Sequence, residues 1–406
     1  MDQSVRLRAA TENDRRAIAD HLLYAFNEHK SDELRDLEKK IIEPERSLVV
    51  EDGGEIVGSA AVQTRDMTVP GNVIPVAHVT GVAVSPTHRR RGLLTAMMRR
   101  QLTDIAGAGR EPVAALWASE AAIYPRYGYG PAVHRLRFDI RSREVKLTGP
   151  AAPAGRFRLI EPKNARADLV AVHEAQRGHR VGWSSRPGYW WDYLLDDGDD
   201  QRGGATELRG VLYETADGPA GYALWRVKND WTPQGPNSAV RVTELIAGDT
   251  GVYAELWRFL LNIDLTRSAS YHFATVDEPL QFMVDDPRLL SRTYDDALWV
   301  RLVDLPAALE ARRYAAPVDV VFEVTDPVLE ANSGRWRLVG DQDKASCVRT
   351  EEAPDFACGV TELGAAYLGG TALTALAAAG RIQTFTGNLP STAFGWHRAP
   401  SAIEVF

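Results

Sequence analysis

Apolar residues recur at helical spacing and at strand spacing in alternation through the first third of the chain. Thr11-Glu12-Asn13-Asp14 reads as a helix start, and Ile18, Leu22, Leu23 and Phe26 follow on one helical face. Ser47-Leu48-Val49-Val50 and residues 56–62 read as two strands. Asp52-Gly53-Gly54 between them supplies the positive φ angles of a hairpin turn. A further strand covers 78–84. A helix follows, with Leu94, Met98, Leu102 and Ile105 on one side, and then Val113–Trp117 as a short apolar strand. Strands alternating with amphipathic helices predict a layered α/β unit.

The pattern changes twice further along. Residues 148–155 turn to Gly, Pro and Ala, the composition of a linker. A second α/β stretch follows, with the aromatic 183–195 region, a strand over 220–227 and a strand-helix unit over 240–264. From Leu298–Leu302 the character shifts again: a short helix at Leu305–Ala311, strands at 318–324 and 335–339, then an Ala-rich stretch over 363–380. That last stretch reads as a buried helix rather than a membrane span, being diluted by Ala, Thr and Gly369-Gly370. Residues 67–88 also lack Asp, Glu, Lys and Arg, but Pro70, Gly71, Asn72 and Pro75 exclude a single helix. The expected units are 1–147, 148–297 and 298–406, and no short repeat is evident.

Composition adds limits. Of 406 residues, 45% are hydrophobic and 25% charged, an ordinary globular mix. The net charge of −8 argues against a nucleic-acid or anionic-membrane partner and suits a cationic one. Two cysteines, Cys347 and Cys358, make no disulfide framework, which with an N-terminus lacking an apolar run predicts a reduced, cytoplasmic setting. No metal is expected: HExxH is absent and two cysteines cannot build a Cys-rich zinc site. A Walker loop and a Gly-x-Ser-x-Gly elbow are absent too.

The most informative stretch is 79–94. A strand containing Val82, Ala83 and Val84 ends, a turn opens on Pro86, and Arg89-Arg90-Arg91-Gly92-Leu93-Leu94 begins an amphipathic helix. The first amides of a helix are unpaired and carry the positive end of its dipole, so phosphate binds there. Gly92 permits close backbone approach. Three arginines match a pyrophosphate and a further phosphate, and the strand offers backbone groups to an amide-bearing arm. The plainer alternative is a basic surface turn before a core helix.

Arg89-x-x-Gly92-x-Leu94 resembles the acetyl-CoA loop of the GNAT acetyltransferases, with Leu94 departing from the family's last small residue. Thr87-His88-Arg89-Arg90-Arg91-Gly92-Leu93-Leu94 resembles more narrowly the Eis (enhanced intracellular survival) acetyltransferases. So do the run from Ala118 to Gly130, the run from Leu305 to Tyr314, and the end at Phe406. The resemblance implies tandem GNAT domains with mixed central sheets, the second lacking the cofactor loop. A sterol-carrier-like α+β domain would follow. It also implies acetyl-CoA as co-substrate, aminoglycoside-type amines as acceptors, and a homo-hexamer.

The same resemblance implies Tyr124 as general acid and the terminal carboxylate of Phe406 as base. A terminal carboxylate is a weak base in water, and burial beside a substrate would strengthen it. Read without the family, Tyr124, Tyr127 and Tyr129 fit core tyrosines with satisfied hydroxyls, the usual case, and a C-terminal Phe is more often a frayed end than a catalytic group. Ser119 and Glu120 follow a strand, where they either line an acceptor site or cap the next turn. Phe26 and Glu28 suit an aromatic and acidic wall for a polyamine, against a solvated helix face. Trp117 is an acceptor-site candidate or a core tryptophan. Competing functions are a protein lysine or N-terminal acetyltransferase, a binder of hydrophobic ligands, and an acetyl-CoA sensor.

Overall fold

A computed structural model describes residues 5–406 and contains three large sheets and a two-stranded ribbon. The first begins with β1 (Val5–Ala9), followed by α1 (Arg15–Phe26) and α2 (Asp32–Ile41). β2 (Leu48–Asp52), β3 (Glu55–Val69) and β4 (Asn72–Val84) form an antiparallel meander, then α3 (Leu93–Ala108) crosses to β5 (Val113–Trp117). β4 starts at Asn72, earlier than the sequence pattern indicates, because Pro70-Gly71 makes a tight turn (Gly71 φ 71°) that pairs it with β3 from Val69 back to Gly58.

Period-two alternation explains the layers. On β5, Ala114 and Leu116 face α3, which covers the sheet through Met98, Leu102 and Ile105. Val113 and Ala115 face the other way, into a core shared with the third unit. α1 packs Ile18 against Val49 on β2.

The sheets do not follow the linear order of the chain. After β6 (Gly130–Pro131), β7 (His134–Ile140) leaves the first unit and enters the second sheet, between Thr293–Asp296 and Thr266–Ala274. In return, Leu298–Leu302 inserts between β5 and β6 of the first sheet. So the strand that marks a change of character at residue 298 belongs by hydrogen bonding to the first sheet, and β7 belongs to the second. The exchange satisfies edges that each seven-stranded sheet would otherwise expose.

The third unit is a five-stranded sheet with short helices. Residues 363–380 do not form one helix. Val360–Ala366 and Leu373–Ala378 are separate. Gly369 sits at φ +85°, and a Cβ there would lie 2.9 Å from Trp396. The chain turns at the glycine pair to let the C-terminal segment pass.

A fully buried ion pair ties this unit to the first sheet. Arg301, on the inserted strand, meets Asp326 at 2.6 Å, and Asn332 Nδ2 donates to the same carboxylate at 2.8 Å. Removing one partner of such a pair strands the other charge without water. We predict that Asp326→Ala lowers stability by about 3–5 kcal/mol, read as a shift in denaturant midpoint. A midpoint within error of wild type would refute this role.

Candidate active site

β4 and β5 pair in parallel only at Val76–His78 with Val113–Ala115. Beyond His78 they have no mutual ladder bonds, so a gap opens between residues 79–84 of β4 and the end of β5. A register shift opposite Ala60 places Gly81 at φ +59°, and Ser59 Oγ donates to the Gly81 carbonyl at 2.8 Å. The irregularity interrupts the β3–β4 ladder and bends β4 beside the gap.

The gap leads to the basic turn. Arg89 is extended, Arg90 is left-handed at φ 61°, and Gly92 caps α3 at φ 77°. A Cβ on Gly92 would meet nothing within 4 Å. The glycine is therefore required by its φ rather than by crowding. Arg90 has no such freedom, and αL backbone at a non-glycine costs on the order of 1–3 kcal/mol. Arg89, Arg90, Arg91 and Gly92 are exposed, while Leu93 is buried and Leu94 half-buried. Arg89 and Arg90 form no ion pair among the described residues, so their charge is available. The amides of residues 93–95 have no intrahelical acceptor. These donors fit a pyrophosphate, and the splayed strand with Val82, Ala83 and Val84 fits an amide-bearing arm.

A cavity of about 500 Å³ adjoins the gap. Its walls come from α1, α2, β3, β4, the end of β5, Tyr124, Arg135 on β7, Trp190 and Tyr193, and the chain end Val405 and Phe406. Val82 borders both gap and cavity. Tyr124 begins a 3-10 turn fixed to α3 by a 3.1 Å hydrogen bond between the Tyr127 hydroxyl and Thr95 Oγ1. Of the three neighbouring tyrosines, only Tyr124 lines the cavity. Burial pushes its hydroxyl upward, partly offset by the Ser119 side chain, so it holds its proton at neutral pH.

Phe406 is not frayed. Its ring meets His78 edge-on at 4.6 Å. His78 is fully buried, with Nε2 2.7 Å from Ser184 Oγ, and burial followed by the Arg65 charge lowers it to about 3, so it is neutral. Just before, Glu404 is buried between Arg65 of β3 and Arg186, the latter at 2.5 Å. Arg186 also pairs with Glu244 at 2.5 Å, and Glu244 accepts from Tyr222. Ser401 N–H donates to Val181 and its hydroxyl accepts from Trp183, each at 2.9 Å. The segment carrying Val181 and Trp183 runs along β3, with Gly182 N–H donating to Thr68 and Thr68 N–H to Trp183. Tail, second unit and first sheet thus interlock.

Phe26 is partly exposed on the cavity wall. Glu28 lies beyond the left-handed C-cap Asn27, off the helix proper, and shares Lys30 with Glu38 at 2.7 and 2.6 Å. Trp117 is half-buried and lines the cavity, as does Ser119. Glu120 is exposed and outside the lining; its carbonyl accepts from Ile123 N–H, which is turn geometry. Sequence reasoning missed Lys30, Glu38, Gln63, His78, Arg135 and Glu404. None carries a local motif, and Gln63, with its buried Oε1 unpartnered, is recognisable only once β3 is placed beside the cavity. Among the described residues, no cluster of three or more His, Cys, Asp or Glu could hold a metal ion, and no helix is long and apolar enough to cross a membrane.

Residues 6–132 match an acetyltransferase (GNAT) domain family, residues 182–302 a second acetyltransferase (GNAT) domain family, and residues 305–402 a sterol carrier protein domain. The chain is 37% identical over 359 residues to the N-acetyltransferase Eis of Mycobacterium tuberculosis, covering 85% of each. It belongs to the Eis family of GNAT N-acetyltransferases. An uncharacterized N-acetyltransferase of Streptomyces avermitilis is 43% identical, covering 93% of both chains. The crystal structure of Eis1 from Mycobacterium abscessus superposes with a TM-score of 0.85 at 32% identity, over 99% of this chain and all of that one. This Eis-family chain is therefore an N-acetyltransferase of two GNAT domains and a sterol-carrier-like domain, in a class that uses acetyl-CoA.

The Glu404 network has a defined pH signature. Burial alone would raise this carboxyl, but Arg65 and Arg186 outweigh it and hold it at about 2 against an ordinary 4.5. Its contribution is therefore complete above pH 4.5 and lost as pH falls towards 2. Glu404→Gln should cost about 3–5 kcal/mol near neutrality and flatten the stability loss across that acid window. Urea unfolding at several pH values measures both, and parallel wild-type and variant curves would exclude the network.

Proposed function

We propose that this protein transfers the acetyl group of acetyl-CoA to a primary amine of a cationic small molecule, with aminoglycoside-type multi-amines as the acceptor class. The observation that carries this reading is the single cavity lined by Tyr124, Phe406 and Val82 beside the splayed end of β4. Acetyl-CoA supplies the thioester. The amides at the start of α3, with Gly92, Leu93 and Leu94, and the guanidinium groups of Arg89, Arg90 and Arg91 hold its phosphates. Val82, Ala83 and Val84 orient its arm.

The remaining work is proton handling. An alkylammonium must lose a proton before its nitrogen is nucleophilic, and the Phe406 carboxylate accepts it. Tyr124 Oη holds the proton that the departing thiolate requires. Phe26, Glu28, Trp117 and Ser119 shape the acceptor wall. Glu28 and Glu38 exceed Lys30 by one negative charge, which supports a cationic amine end. We assign the reaction to the cytoplasm and to a homo-oligomeric form, consistent with two buried free cysteines and with the family resemblance.

The primary test is CoA thiol release with and without a multi-amine aminoglycoside, checked by product mass. Release with a mass gain of one or more acetyl groups supports the reading; release only with a lysine peptide would move the acceptor to proteins. Tyr124→Phe should lower kcat about a hundredfold while leaving acetyl-CoA affinity intact. A kcat near wild type would mean another proton donor.

Deleting Phe406 should likewise cut kcat far more than acetyl-CoA affinity, because the new terminus ends one residue short of the His78 contact. Unchanged turnover in that truncation would remove the carboxylate from the mechanism.

A further inference from the structure

The acceptor cavity carries one cation that the amine reading does not use. Arg135 enters it from β7, the strand exchanged into the second sheet. Its guanidinium carbon lies 5.1 Å from the Trp117 ring centre and 5.3 Å from that of Phe273. Those rings meet edge-on at 6.3 Å, so the guanidinium is held against both.

This cation has no protein acceptor. The Arg135 side chain forms no hydrogen bond or ion pair among the described residues, and its Nε is buried without a partner. Its cross-strand neighbour Asp295 is taken by Arg137. Asp296 accepts from Trp299 Nε1 at 2.6 Å. Burial, and then the Arg137 charge, lower the Arg135 pKa, outweighing the nearby Asp295 and Asp296 charges, which raise it. Trp117 Nε1 in the same corner is a second buried donor without an acceptor. Two unsatisfied donors together are costly unless something accepts from them. Glu28, Glu38 and the chain end lie on other elements of the same cavity.

We propose that Arg135 binds an anionic group of the acceptor, so that the preferred acceptor joins a primary amine to a carboxylate. This rests on the amine-acetylation reading but departs from its aminoglycoside-type acceptor class, which carries no carboxylate. An amino carboxylate would use both the acidic wall and Arg135, whereas a polyamine would use only the first. Trp117 and Phe273 hold the guanidinium against their rings at the cavity wall, which leaves its fork for a bidentate carboxylate contact.

The test compares ω-amino carboxylates of four to eight carbons with their terminal amides, which differ only in the anionic group. Binding to the CoA-loaded protein is read by calorimetry, and turnover by thiol release. Wild type should bind the best acid about tenfold or more tightly than its amide, the usual scale of a charged hydrogen bond. Arg135→Gln should bring that ratio to about one, and Arg135→Lys should restore part of it, with CoA affinity unchanged in both. Equal affinity of acid and amide for wild type overturns the proposal without any variant. A ratio that survives in Arg135→Gln overturns it as well. If acids bind preferentially but no amine releases thiol, the anionic subsite stands and the acetyl-transfer reading fails.

Discussion

The buried chain of charges from Arg65 through Glu404 and Arg186 to Glu244 is the constraint on which the site depends. Each of the four comes from a different part of the molecule: a strand of the first sheet, the tail, a loop of the second unit and a strand of the second sheet. Burying two arginines and two carboxylates is tolerable only because every charge has an opposite neighbour. The arrangement therefore exists only when the units are docked and the tail is threaded between them. Phe406 reaches its place beside His78 as a consequence. A C-terminal residue, ordinarily the least ordered part of a chain, is thereby fixed in the wall of the cavity.

Strand exchange gives this docking its rigidity. With β7 in the second sheet and Leu298–Leu302 in the first, backbone ladders rather than side chains alone bind the two units. The same exchange brings Arg135 to a cavity built mostly by the first unit. The third unit shares its core with β4, β5 and the inserted strand, so it buttresses the sheet while delivering the tail. The Arg301–Asp326 pair marks where those two roles meet.

Within the first unit the gap beside the cavity follows from an interrupted ladder. Parallel pairing of β4 with β5 stops at His78, and the bend at Gly81 frees backbone groups beside the start of α3. Phosphate donors, a strand edge and the Tyr124 turn then lie along one path. Arg90 and Gly92 hold the left-handed backbone that connects them, at a conformational cost borne where binding requires it.

Much of this was legible in residue order. Periodicity gave α1, α3 and the strand Val113–Trp117, and the helix Leu305–Ala311 was read at its observed limits. Arg89, Arg90, Arg91 and Gly92 carry a local signal, because the basic turn and the helix start they form are built from consecutive residues. The motif around Tyr124 and the aromatic chain end were visible for the same reason. Phe26 and Glu28, named from their chemistry near one helix, line the cavity, while Glu120, named for following the Val113–Trp117 strand, is exposed outside its lining. Periodicity could not find the break at Gly369-Gly370, which arises from the passage of Trp396. Nor could it find His78, Glu404, Gln63 or Arg135, each a single residue in an ordinary strand or tail. Sequence determines what neighbouring residues do together, since their spacing is covalent. Which distant residues share a cavity was decided by docking and strand exchange, because burial and charge pairing are properties of the assembled whole.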